Sequence, residues 1–151
     1  MRYLILIITI FITSLSASKV EIVSESFYTD EKENRVYFVD DVKVKKEKDS
    51  LNSNLLIVYF NDNNETKSYK ATGNVRFEIY KSNIHYKGSA KSVEYIVKTS
   101  KYIFINKAII HDLTNNRDIS GDEIILYSKS GKAIIKSISK NPSKFIFEME
   151  D

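Results

Sequence analysis

The chain has 151 residues, a net charge of +3 and no cysteine. So slight a basic excess gives no case for nucleic-acid binding, and a chain without cysteine must hold its fold by packing rather than by disulfides. One proline and four glycines leave no Pro/Gly-rich linker, so one domain is expected.

Taken in chain order, Met1-Arg2 opens a short positive segment, and Leu4 to Leu15 is almost unbroken apolar sequence. Ser16-Ala17-Ser18 then precedes the charged Lys19. This is the layout of a secretory signal peptide over residues 1–18, leaving residues 19–151 as the folded domain. The apolar run is shorter than the roughly 20 residues a membrane span needs.

Beyond it, three segments repeat with a period of 33 residues, reading NRVYFVDDVKV from Asn34, KSYKATGNVRF from Lys67 and SKYIFINKAII from Ser100. Asp40-Asp41, Gly73-Asn74 and Asn106-Lys107 fall in register, followed by Val42, Val75 and Ala108. Such a period means one structural unit copied and stacked. The unit reads as a β-hairpin, with each pair as its two-residue turn; Gly73 and Asn106 suit positive φ, and Asp40-Asp41 suits it less. Alternation dominates elsewhere, as in Val42-Lys43-Val44-Lys45 and Val75-Arg76-Phe77-Glu78-Ile79, so strands with one buried and one wet face are expected. Turn clusters at Asp30–Asn34, Asn61–Asn64, Lys81–Asn83, Asn115-Asn116 and Ser130-Gly131 separate them. No helix-period stretch follows the signal peptide, and the fold class is all-β.

Following parity strand by strand predicts one continuous apolar face. It contains Val42, Val44, Ile57, Tyr59, Val75, Phe77, Ile79, Val93, Tyr95, Ile103, Ile105, Ile110, Ile125 and Tyr127, with Val97, Phe145 and Phe147 continuing it. Lys43, Lys45, Arg76, Glu78 and Glu94 fall on the opposite, wet face. Ile57, Ile103 and Ile125 have apolar neighbours, which leaves their faces open. Tyr59, Tyr95 and Tyr127 would bring hydroxyls to the rim of the apolar face. Both ends of the domain, Val20–Val23 and Lys144–Met149, read as edge strands with little to block pairing by another sheet.

Catalytic chemistry is missing from the sequence. His85 and His111 share no ligand-like spacing with other candidate ligands, and neither a phosphate loop nor a dinucleotide fingerprint is present. Asp40-Asp41 and Asp122-Glu123 read as turn and strand-edge polarity. No enzyme activity, metal or cofactor is expected.

The signal peptide, the small cysteine-free β domain, the Thr72-Gly73-Asn74-Val75 turn and the strand opening Ile119-Ser120-Gly121-Asp122-Glu123-Ile124 together resemble the LptA/OstA family of periplasmic lipopolysaccharide-transport proteins. The resemblance implies a twisted, half-open antiparallel β-jellyroll whose apolar face takes up the acyl chains of lipid A, with the predicted face residues lining the groove. Lys43, Lys45 or Arg76 would attract the phosphates. It further implies a periplasmic location and edge-strand contact with an inner-membrane LptC-like and an outer-membrane LptD-like domain. A head-to-tail homo-oligomer would follow the same rule. Two alternatives stand beside it: an LptC-like adaptor of the same fold that keeps its N-terminal segment in the inner membrane, and a secreted β-sandwich that binds carbohydrate, for which the lack of Trp is unfavourable.

Overall fold

The computed structural model describes residues 19–81, 83–138 and 142–149; the predicted signal peptide lies outside the described residues. A single 10-stranded antiparallel sheet contains β1 (Val20–Val23), β2 (Ser26–Asp30), β3 (Arg35–Lys46), β4 (Asp49–Phe60) and β5 (Thr66–Lys81). It continues through β6 (Ile84–Ile96), β7 (Lys101–Asp112), β8 (Arg117–Tyr127), β9 (Lys132–Lys136) and β10 (Lys144–Phe147). No helix among the described residues is long and apolar enough to cross a membrane.

Strands β3 to β8 run in sequence order as a meander, each paired with the next. The edges are built differently. β1 and β2 pair with opposite halves of β3, and β10 and β9 pair with opposite halves of β8. Each edge is thus one long strand cut in two. The two edges do not pair with each other among the described residues, so the sheet stays open.

The cut lies opposite a feature that runs across the whole sheet. Asp40-Asp41, Gly73-Asn74 and Asn106-Lys107 are not hairpin turns; they sit in the middle of β3, β5 and β7. All six residues have positive φ: 65° and 48°, 85° and 47°, and 64° and 51°. Each pair faces one extra residue of the following strand, Asn54, Lys91 or Asp122, and the register shifts there. A line of bulges therefore crosses the sheet. Two successive left-handed residues turn a strand sharply, and a sheet bent in every strand at the same level folds over. Asp40-Asp41 holds the same conformation as its Gly-containing counterpart, so the first repeat keeps the pattern that its sequence matched less well. The real reversals include the predicted clusters, where Asn34, Asn64, Asn83, Asn116 and Gly131 have positive φ, and also Glu47 and Ser100.

Folding along the bulge line gives two leaves. The upper leaf contains β2, β9 and segments 35–39, 55–60, 66–72, 92–96, 101–105 and 123–127. The lower leaf contains β1, β10 and segments 42–46, 49–53, 75–81, 84–90, 108–112 and 117–121. Their inner faces pack on each other: Phe77 of the lower leaf meets Phe104 of the upper leaf with ring centroids 5.0 Å apart. The innermost positions are Val42, Val75 and Ala108, each at 0% exposure. These are the residues that follow the three repeated pairs, so the repeat places one small apolar side chain at the fold line in every copy.

Candidate functional site: an apolar interior with a polar mouth

The interior is built by a parity rule that the bulges modify. In β3, β5 and β7 the bulge inserts two residues, and the inward set keeps its parity: Val36, Phe38, Val42 and Val44 in β3. In β4, β6 and β8 it inserts one residue, and the inward set changes parity: Leu51 and Ser53, then Leu56, Val58 and Phe60 in β4. Of the predicted face, the structure puts Val42, Val44, Val75, Phe77, Ile79, Val93, Tyr95 and Ile110 on the inner side.

Ile57, Tyr59, Ile103, Ile105, Ile125 and Tyr127 are corrected to the outer side, where Ile57, Ile103 and Ile125 share one cross-strand row with Lys70 and Glu94. The reasons differ. In β4 and β8 a single parity was carried through a bulge that reverses it. In β7 a hairpin turn at Asn106-Lys107 would put Ile105 and Ala108 on one face, whereas the bulge found there puts them on opposite faces. The residues that replace them inside are Leu56, Val58, Phe60, Tyr102, Phe104, Ile124 and Leu126. Tyr59 and Tyr127 serve outside as platforms for cations: the Arg35 guanidinium lies 4.9 Å from the Tyr59 ring and the Lys101 ammonium 5.7 Å from the Tyr127 ring.

The fold line is closed and tightly packed, whereas the inner residues farther from it are only partly covered. Ile22, Phe38, Val44, Leu51, Ile79, Ile110 and Leu126 pack against the core while remaining partly exposed. Near the turns of the upper leaf the inner row becomes amphipathic. Tyr69, Tyr95 and Tyr102 stand side by side on β5, β6 and β7, with ring centroids 6.3 and 4.5 Å apart. Burial pushes the Tyr102 phenol up to about 12, with neighbouring Tyr95 and Asp49 adding to it, and burial raises Tyr69 as well. The Tyr69 and Tyr102 hydroxyls stay protonated at any physiological pH, so these two side chains pair an apolar ring with an uncharged tip.

Opposite, the lower leaf ends in a polar clamp. The Asp112 carboxylate accepts hydrogen bonds from the backbone N–H of Thr114 (3.1 Å) and Asn115 (2.9 Å), from Asn115 Nδ2 (2.9 Å) and from Arg117 Nη2 (2.6 Å). Burial alone would raise its pKa; the bonds from Asn115 and Arg117 outweigh that and hold it below the usual carboxylate range.

A shallow hollow of about 520 Å³ on the lower leaf is lined by Arg76, Glu78, Lys87 and His111 among others, a mixed-charge lining unsuited to an apolar ligand. Lys43, Lys45 and Arg76 all point away from the interior, so the expectation that they attract the phosphates of a ligand held there is corrected. No cluster of three His, Asp or Glu residues able to hold a metal exists among the described residues. Asp40 and Asp122 lie on β3 and β8, with four strands between them, so they do not form a carboxylate pair.

An open antiparallel sheet, folded along a line of bulges around an apolar interior, defines a jellyroll-like β domain. The profile described as "LptA/(LptD N-terminal domain) LPS transport protein" matches residues 21–132, and the chain belongs to that family. Among solved structures it is similar to LptH from Pseudomonas aeruginosa, described as the LptA-homologous periplasmic component of the conserved lipopolysaccharide transport device. The TM-score is 0.73 over 87% of this chain and 96% of that one, at 14% identity. That likeness rests on the fold alone. No curated protein sequence matches significantly.

Proposed function

We propose that the protein is a periplasmic carrier that shields the acyl chains of lipid A between its two leaves and passes them along the fold toward the outer membrane. The observation that supports this most directly is the partly covered inner face. Its residues are apolar from edge to edge, and the sheet that carries them is open at both edges. Each methylene removed from water is worth about 0.8 kcal/mol, so an acyl chain gains strongly from such a surface while its sugars stay wet. Copies of one unit present similar surfaces in succession, which favours movement over trapping.

The edges support end-to-end assembly with similar domains on inner- and outer-membrane partners, or with further copies. β2 exposes Phe27 and Tyr28, and β10 exposes Phe145, Ile146 and Phe147, all more than half exposed. An edge strand with apolar side chains and free backbone groups invites strand addition.

The test is site-specific photo-crosslinking. A photoreactive residue at Ile79 or Tyr95, on the inner face, should capture lipopolysaccharide in cells, and one at Ile57 or Ile103 should not. Capture only from the outer positions would defeat the proposal.

A further inference from the structure

The turns that border the mouth, where the two leaves meet opposite the fold line, differ in charge along its length. At the β2 end the upper-leaf turns carry Asp30, Glu31, Glu33, Asp62 and Glu65 against one basic residue, Lys32. At the β9 end they carry Lys98 and Lys129, flanked by Lys101 and Lys132. No acidic residue occurs between Glu94 and Asp112, or between Glu123 and Glu148. Among the described residues, none of Lys98, Lys101, Lys129 and Lys132 has a carboxylate partner.

The same end of the mouth is where the leaves are tied together. Lys81, at the end of β5 in the lower leaf, donates its ammonium to the carbonyl oxygen of Ser128 in the upper leaf. Both ends of this bond are braced. Ser128 donates its N–H (3.0 Å) and its hydroxyl (2.8 Å) to the Ser100 carbonyl, which joins the turns carrying Lys98 and Lys129. The residue before Lys81, Tyr80, donates its N–H to Asp49 (2.8 Å) and stacks on His85 with centroids 4.2 Å apart. The acceptor of the Lys81 charge is neutral, and an ionised phosphate oxygen is the stronger partner for an ammonium group.

We propose that Lys81, Lys98 and Lys129 form a binding site for the phosphate groups of an acylated sugar, and that phosphate bound there draws Lys81 off Ser128 and unlatches the mouth. This rests on the reading of the interior as an acyl-chain groove. It makes headgroup recognition and access to the groove one event: an amphiphile with phosphates opens the leaves, and a neutral one meets them latched. It also gives the molecule a polarity, since the acidic end of the mouth repels the group that the basic end holds.

The cysteine-free chain allows the test in the full domain. Spin labels at N83C and S130C, in turns on either side of the latch, report the separation of the leaves. Binding is read with lipid A, with enzymatically dephosphorylated lipid A and with inorganic phosphate. The native protein should favour lipid A over its dephosphorylated form by about tenfold, the sum of a few exposed ion pairs. The combination K81Q/K98Q/K129Q should abolish that preference without weakening the dephosphorylated lipid. The label distance should be narrow without lipid, broaden with lipid A and be broad at the outset in K81Q, while K81R stays narrow. A preference that survives the triple substitution, or a K81Q distance equal to the native one, overturns the proposal. Inorganic phosphate that binds as tightly as lipid A overturns the headgroup assignment. Failure of both lipids to bind would instead defeat the groove itself, while the K81Q distances would still decide the latch.

Discussion

Two residues carry more than their size suggests. Gly88 lies on β6 directly across from Phe77, and a Cβ there would come within 2.4 Å of the Ile109 carbonyl oxygen and of the Phe77 ring. Backbone cannot yield as a side-chain tip can, so Gly88→Ala should cost about 2–3 kcal/mol in urea unfolding, near the upper end for overpacking a core. Asp112 is the second. Its folded pKa is depressed, so its stabilisation is present above the unfolded carboxylate value, about 3.9, and is lost as pH falls through the lower folded value. Asp112→Asn should therefore be less stable than the native protein near neutral pH. The gap should close below about pH 4, as measured by unfolding midpoints across that range.

At the level of the strand, the left-handed pairs are interchangeable parts. Gly73-Asn74 shows the least strained version. At Gly73 a Cβ would stand 2.7 Å from Asn54 Nδ2, so glycine serves there for both space and φ. Asp40-Asp41 and Asn106-Lys107 reach the same backbone with Cβ atoms, at a cost glycine does not incur. Replacing Asp40-Asp41 by Gly-Asn should be neutral or stabilising by up to about 1 kcal/mol. Replacing it by Val-Val should destabilise by about 2 kcal/mol or more, because β-branched residues resist that conformation. Chemical denaturation of the two variants compares them directly. This element also shows how far the sequence could be read. The period, the strands and most of their reversals were visible, because alternation and turn residues are local signals. The inward face of β4, of the second half of β8 and of the first half of β7 was not. One or two extra residues in mid-strand decide it, and Gly-Asn serves a bulge as readily as a hairpin. Both faces of those segments are apolar, so composition could not correct the count.

For the whole molecule, what matters is that the sheet is left unfinished at both sides. β10 adds Phe145, Ile146 and Phe147 to an edge that carries no acidic residue. If that edge receives a second sheet, Ile146→Lys should shift the protein from concentration-dependent assemblies to monomer in analytical ultracentrifugation, while leaving its unfolding midpoint nearly unchanged, since the substitution faces outward at the margin. The rim lysines escaped the sequence reading for a related reason. They lie at a strand end and in two turns far apart along the chain, and only folding along the bulge line gathers Lys81, Lys98 and Lys129 at one end of the mouth.

The bulge line has one more consequence, for how such a chain can change length. Each copied unit inserts two residues in one strand and one in the next, so positions 33 residues apart, such as Val42 and Val75, face the same way. Another 33 residues spliced between β6 and β7 would leave the pairing surfaces on both sides unaltered. It would widen the sheet by two strand spacings, about 10 Å. Half a copy would set two strands with the same kind of bulge side by side and break the two-against-one pairing at the fold line. The protein can thus widen its sheet only in whole hairpins, like a ruler marked in steps of one size.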